Sequence, residues 1–212
     1  MTVSIISITA MNAGEDVRVS FETVNDSSTE RVLDSFIISS KQYFKLGLEK
    51  GQCELETYDE VAYGAEVWRA VKRGTLLLGY GAYSEKALLV KLVSKGFDKK
   101  CAADAVEELV SRGLLCAADD ATREAQRMAD KFWGKKRITS ALYDKGYSSD
   151  AVVSAIERLV ESEVDFVDNC RALIEKRYAA IPDDPRERQK VFASLQRYGY
   201  SLSEIKAAID TL

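Results

Sequence analysis

The chain contains no histidine, only two prolines among its 212 residues, and four cysteines without CxxC spacing. General acid–base catalysis most often uses histidine, and there is none. Cys53, Cys101, Cys116 and Cys170 come from four separate segments, and without histidine a zinc site would need all four thiolates to converge. They read instead as reduced core thiols of a cytoplasmic protein, and no metal or other cofactor is expected. No apolar run reaches the roughly 18 residues of a membrane span. The start, MTVSIISITAMNAGEDVRVSF, lacks a basic region and a small-residue cleavage site, and reads as a strand rather than a secretory signal.

What is present is ordinary core material, 46% hydrophobic and 30% charged, with an uneven distribution of charge. Residues 1–57 hold five Lys/Arg against nine Asp/Glu, whereas residues 58–212 hold 25 of each. The acidity therefore belongs to the N-terminal part, and the remainder is free to carry local basic patches.

The N-terminal part, residues 1–57, reads as a small β-rich module. Val17, Val19 and Phe21 alternate with Arg18, Ser20 and Glu22, the period of a half-buried strand. Val3, Ile5 and Ile8 suggest a strand before it, NAGED a turn, VNDSSTE a loop and RVLDSFII a third strand. SSKQYFKLGLEKG predicts a short helix capped by serine and closed near Gly47, and QCELETY a brief last strand.

From about Tyr58 the pattern is helical, and one short phrase occurs three times around Gly96, Gly146 and Gly199. Apolar residues stand eight before each glycine (Leu88, Ile138, Val191) and four before (Leu92, Leu142, Leu195). An aromatic follows (Phe97, Tyr147, Tyr200), then a cap (Asp98, Ser148, Ser201). A second stripe comes at six after (Ala102, Val152, Ile205), at nine and ten after (Ala105–Val106, Ala155–Ile156, Ala208–Ile209) and at thirteen after (Leu109, Leu159, Leu212). The glycine ends one helix in the left-handed conformation, the aromatic folds back on the stripe, and Asp or Ser caps the next helix. Ser201 with Glu204 forms a capping box. Each copy is thus a helical hairpin.

Longer helices precede the hairpins: roughly residues 59–79, a stripe of Ala121, Ala125, Met128 and Phe132, and a stripe of Phe166, Cys170, Ile174 and Tyr178. Each leading helix with its hairpin makes a three-helix repeat, at residues 58–115, 116–163 and 164–212. The expected fold is mainly α: tandem three-helix repeats in an elongated array behind the β-rich module, and monomeric because the repeats bury their own stripes.

Catalytic motifs are wanting. RGTLLLGYGAY, residues 73–83, lacks the Gly-Lys-Ser/Thr of a phosphate loop and reads as a loop or kink between helices. Glu107–Glu108, Asp119–Asp120 and Asp183–Asp184 are sequence neighbours, which point about 100° apart on a helix. We expect no enzyme. The candidate working groups are basic: Arg69, Lys72 and Arg73 on one helix face, Lys131, Lys135, Lys136 and Arg137 around Phe132 and Trp133, Arg171, Lys176 and Arg177, and Arg186, Arg188, Lys190 and Arg197. Any one cluster reads most simply as a solvated face, but one cluster per repeat would line up if the repeats stack. Phe132 is expected in the core and Trp133 at the surface.

The stretches SEKALLVKLVSKGF, GKKRITSALYDKGY and RERQKVFASLQRYGYSLSEI, in that order and spacing, resemble the RecX family of bacterial regulatory proteins, and LGLEKGQ is similar to the segment joining an extra N-terminal module to the repeats in some members. The resemblance covers most of residues 39–212. Many members carry arginines just before the serine of SEK, where this chain has YGAYSEK. The resemblance implies a non-enzymatic regulator lying in the groove of the RecA–DNA filament, inhibiting ATP turnover and strand exchange. The local basic patches of the neutral helical part point to contact with DNA inside the filament, while a net charge of −4 disfavours tight binding of free duplex. The alternative is a helical-repeat DNA-binding or transcription-regulatory protein, since helical hairpins look like helix-turn-helix pairs; a recognition helix, however, should expose polar groups at its N-terminal end, and these second helices are apolar.

Overall fold

The computed structural model describes residues 2–24, 31–162, 164–178 and 181–212. Of the loop expected at VNDSSTE, residues 24–30, Val24 ends the second strand and residues 25–30 lie outside the described residues. The chain is mainly helical behind a small antiparallel sheet.

Four strands, β1 (Thr2–Met11), β2 (Asp16–Val24), β3 (Arg31–Ser39) and β4 (Gly51–Cys53), pair in the order β3-β2-β1-β4. Val17 lies opposite Ala10 and Ile38, so one face collects Val3, Ile5, Val17, Val19, Phe21 and Ile38. Helix α1 (Ser40–Leu46) starts where the Ser39 hydroxyl accepts from the Gln42 amide and ends at left-handed Gly47. The buried face of the sheet is covered by the first turns of α2 (Leu55–Tyr80), which lay Tyr58, Val61 and Ala65 on it. Phe21, Phe36 and Tyr58 meet edge to face with ring centres 5.1–5.9 Å apart. Compaction therefore runs across residue 57 instead of stopping there: the first compact unit takes the chain to Gly79 together with Leu89–Arg112.

The loop expected at residues 73–83 is mostly helix, because α2 continues to Tyr80. Val71, Gly74 and Leu77 are buried on one face, and that packing outweighs the roughly 1 kcal/mol that a helical glycine costs.

The remaining helices are α3 (Glu85–Ser94), α4 (Lys99–Ser111), α5 (Ala117–Ala129), α6 (Lys135–Asp144), α7 (Ser149–Glu161), α8 (Phe166–Tyr178), α9 (Pro185–Arg197) and α10 (Leu202–Asp210). The three glycines lie at φ +93°, +83° and +98°. In each turn the glycine N–H donates to the carbonyl three residues back, and the aromatic N–H to that of Leu92, Leu142 or Leu195. These paired bonds are the Schellman closure that left-handed glycine permits. Asp98, Ser148 and Ser201 accept from backbone amides at the starts of α4, α7 and α10. The stripes are buried as the spacing requires, with two corrections at the last hairpin: Ile209 is only half-buried, and Leu212 is 54% exposed because α10 ends at Asp210.

The second compact unit joins Tyr80–Leu88 to Gly113–Leu212. Its core runs from Ala121, Ala125 and Met128 through Ile138, Leu142, Val152 and Leu159 to Cys170, Ile174, Leu195 and Ile205. Cys101 and Cys170 are core thiols as expected, and burial pushes them up to about 11 and about 12. Cys116 departs from the expectation and is exposed. Among the described residues no cluster of His, Cys, Asp or Glu is arranged to hold a metal ion, and no helix is long and apolar enough to cross a membrane.

Candidate partner-binding surface

The second unit contains two like-built joints, each seating the start of one helix on a glycine turn. At the first, the Ser84 hydroxyl accepts from the Ala87 amide and donates to the Lys145 carbonyl at 2.7 Å. Ser84 is buried, and Lys145 is held from the other side by its ammonium on Glu124 at 2.6 Å. At the second, the Gly134 amide donates to the Tyr198 carbonyl at 2.7 Å and the Lys136 amide to the Gly199 carbonyl at 3.2 Å. Ser84 and Gly134 both stand twelve residues before a hairpin glycine, and Lys145 and Tyr198 both stand one before the next. The first amides of α6, unsatisfied within their own helix, thus find partners in the α9–α10 turn.

The second joint explains Gly134. A Cβ there would lie 2.4 Å from the Gly199 carbonyl carbon, and one on Gly199 would lie 2.5 Å from Arg137 Cβ. The approach leaves no room for a side chain on either residue.

Around this joint the structure gathers cations and aromatics. The Arg137 guanidinium stacks 3.9 Å from the Trp133 ring centre and 5.2 Å from that of Tyr198. Arg177 lies 5.2 Å from the Tyr198 ring and donates to its hydroxyl. The Lys176 ammonium lies 5.2 Å from the Phe132 ring. The chain turns here because Phe132 sits at φ +59° with the same bond pair as the glycine turns: Phe132 N–H to Ala129, and Trp133 N–H to Met128. Phe132 thus takes the place that glycine holds elsewhere. Both aromatics are half-buried, correcting the split into a core Phe132 and a surface Trp133. Lys131, Lys135 and Lys136 are exposed beside them. Among the described residues, Lys131, Lys135, Lys136, Arg137, Lys176 and Arg177 have no carboxylate within 4 Å. The cluster therefore presents uncompensated positive charge, with its Arg137 fork held flat by two rings.

The other sequence candidates are placed differently. Arg69 pairs with Glu66 at 2.8 Å and lies over the Phe97 ring. Arg171 pairs with Asp168 at 2.8 Å. Arg186 and Arg188 begin α9, with Arg188 over Phe192; ten residues separate it from Tyr198, about 15 Å of helix. Lys190 pairs with Glu187. Arg73 and Arg197 are exposed.

Lys72 serves the interior. Its ammonium donates to Asp16, whose carboxylate also accepts from Trp68 Nε1 at 2.7 Å and from the Asn12 amide. Asp16 is 1% exposed. Burial pushes its carboxyl up, but the three donors and the Lys72 charge outweigh that and hold it below the ordinary value. Arg112 covers the Trp68 ring at 4.6 Å and pairs with Glu108 at 2.8 Å. Sequence inspection missed Asp16, Trp68, Arg112 and Tyr198. Tyr198 had a signal, since it stands beside a hairpin glycine; Asp16 read only as part of a turn.

Residues 163–209 match the family model described as RecX, third three-helix domain. A protein named Regulatory protein RecX from Xanthomonas axonopodis pv. citri is 30% identical over 139 residues, 65% of this chain and 84% of the relative. One of the same name from Halorhodospira halophila is 28% identical over 133 residues, 62% of this chain and 81% of the relative. The fold matches a crystal structure of regulatory protein RecX with a TM-score of 0.75, at 19% identity, over 98% of this chain and 99% of that one.

Proposed function

Because the chain belongs to the RecX family of regulatory proteins, we propose that it regulates RecA by binding in the groove of the RecA–DNA filament and slowing ATP turnover and strand exchange, without chemistry of its own. The observation that carries this reading is the family membership. The uncompensated cluster at Lys131, Lys135, Lys136, Arg137, Lys176 and Arg177 supports it, because a filament offers carboxylates and phosphates in repeating register. Three repeats, at residues 58–115, 116–163 and 164–212, engage neighbouring protomers at once, so affinity for the polymer exceeds affinity for one subunit. The working cations lie in the second unit, and Lys72 contributes through Asp16 to the fold instead of to the partner. Free duplex binds weakly, the net charge being −4.

The test is RecA ATP hydrolysis on single-stranded DNA with increasing amounts of this protein. Hydrolysis falls, and falls less as salt rises, since exposed charges are screened within about 8 Å at physiological ionic strength. Hydrolysis unchanged at saturating protein overturns the reading.

A further inference from the structure

The two edges of the sheet are treated differently. On the β1 side, β4 covers residues 3–5, and the strand then bulges between Ile5 and Ser7. A very short partner strand and a bulge are ordinary ways to close an edge against further pairing. The other edge is β3, nine residues with no proline, lysine or bulge. Its charges are turned toward its own module: Arg31 pairs with Glu22 at 3.2 Å, and Asp34 accepts from the Tyr58 hydroxyl at 2.8 Å. The Ser40 amide donates to the Glu15 carbonyl, which sets the phase of the ladder, so Ile38, Phe36, Asp34 and Val32 are the residues bonded to β2. The backbone N–H and C=O of Leu33, Ser35 and Ile37 therefore point away from the sheet, and among the described residues no hydrogen bond reaches them. Along this edge runs a groove of about 370 Å³, between residues 35–37 and the α2 stripe Ala62, Ala65, Arg69 and Lys72.

We infer that β3 and α2 form a slot that takes one extended segment of the regulated partner as a further strand of the sheet. The outward N–H and C=O groups of Leu33, Ser35 and Ile37 define the occupant's backbone, because an extended chain matches their spacing. Its side chains are defined by the two faces. On the open face they meet Leu33, 67% exposed, and half-buried Ile37, which favour apolar or β-branched neighbours across the strand. Toward α2 they meet Ala62 and Ala65, and beyond these the Glu66–Arg69 and Asp16–Lys72 pairs, whose charges are already matched. The segment is therefore alternating, apolar on the open face and small and uncharged toward α2, without proline where it pairs.

A second copy of this chain does not fit the slot. Antiparallel pairing of β3 with itself about a two-fold axis would bring both α2 helices to the same side of the shared edge. The two strands would stand about 4.8 Å apart, whereas packed helix axes need at least about 8 Å. Because α2 already lines the groove outside β3, there is room beneath it for a single strand and not for a second helix with its sheet.

This inference rests on RecA filaments being the partner, and the experiment separates the two ideas. Wild type and three variants are sedimented with RecA filaments on single-stranded DNA. Ser35→Pro removes an outward N–H and blocks the edge, while the ladder to β2 uses other residues and is kept. The pair Leu33→Lys, Ile37→Lys leaves the backbone untouched and places charge where the incoming strand would lie. The pair Thr2→Lys, Thr9→Lys adds the same charge to β1, away from the β3 edge, and is the control. Melting temperature and circular dichroism report folding of each. The expected result is about tenfold weaker binding for Ser35→Pro and for the Leu33, Ile37 pair, and wild-type binding for the threonine pair. If Ser35→Pro fails to fold, the Leu33, Ile37 pair decides. Wild-type binding by the folded edge variants overturns the strand slot alone, as does an equal loss in the threonine control. A wild-type dimer in analytical ultracentrifugation that Ser35→Pro makes monomeric gives the edge to a second copy and overturns the partner strand. Failure of the wild type to sediment with filaments overturns the regulatory reading and the slot with it.

Discussion

Trp68 in the first unit and Trp133 in the second each carry a guanidinium on the ring, Arg112 at 4.6 Å and Arg137 at 3.9 Å, yet they do opposite things. Trp68 is 4% exposed, and its indole N–H ends on the buried carboxylate of Asp16, which also takes Lys72. Arg112 is paired with Glu108. Every charge there has a partner, so the first site is a brace between sheet and helix. Trp133 is half-buried, and Arg137, Arg177 and their lysine neighbours have no carboxylate among the described residues within 4 Å. The cation–aromatic pair itself does not distinguish core from surface function; the carboxylate beside it does.

The largest way to break the comparison acts on the joint beneath Trp133. Gly199→Ala forces a Cβ to within 2.5 Å of Arg137 in a left-handed backbone, and overpacking with φ strain should cost roughly 3 kcal/mol in chemical denaturation. Gly146→Ala meets only side-chain atoms at 3.2 Å and should cost about 1 kcal/mol. Equal losses in the two would show that the close approach at Gly199 carries no weight.

Next comes Asp16→Asn, which leaves Lys72 without its counter-charge and should cost about 2 kcal/mol, a melting shift of several degrees for this length. The sign of its pH dependence follows from the lowered carboxyl. The ionised form is favoured by folding, so its contribution is complete above the unfolded value of about 3.9 and is lost as pH falls through the lower folded value. Thermal scans from pH 6 downward should therefore show a shallower acid limb in Asp16→Asn than in wild type. The same limb in both would remove Asp16 from the account.

The second site is tested by function. Lys135→Glu with Lys136→Glu should weaken the proposed inhibition of RecA at least tenfold with an unchanged melting temperature. Adding Arg137→Glu should deepen the loss but also lower the melting temperature, because Arg137 stacks on Trp133 and Tyr198. A double variant that inhibits like wild type would make these lysines a solvated face. The smallest effect is expected for Asp183→Lys, an exposed carboxylate. Asp184 is unsuitable as its companion control, because it caps α9 and its loss should cost about 1 kcal/mol.

Local rules made much of the fold readable in advance. The alternation Val17, Val19, Phe21 places one face of the sheet in the core, and Ser39 and Gly47 bracket α1. The three glycines with their aromatic and cap residues mark every hairpin turn, because left-handed backbone, cap and stripe are each set within a few residues. The error at residues 73–83 came from the same reasoning, since glycine punctuates a helix only where packing does not override it. The candidate site was legible as composition: basic residues around an aromatic pair. Its membership was not, for Lys72 looked like its neighbours until Asp16, 56 residues earlier in sequence, was found beneath it.

By itself, then, the sequence determined the elements, their turns and their buried stripes, all of which depend on spacing along one chain. Only the tertiary structure decided which glycine turns are covered, why Gly134 and Gly199 both lack side chains, and which cations are neutralised. Those outcomes depend on where a distant carbonyl or carboxylate comes to rest: the Lys145 carbonyl under Ser84, the Tyr198 carbonyl under Gly134, the Asp16 carboxylate under Trp68. A charge or a glycine takes its role from the group that packs against it, and no local periodicity encodes that neighbour.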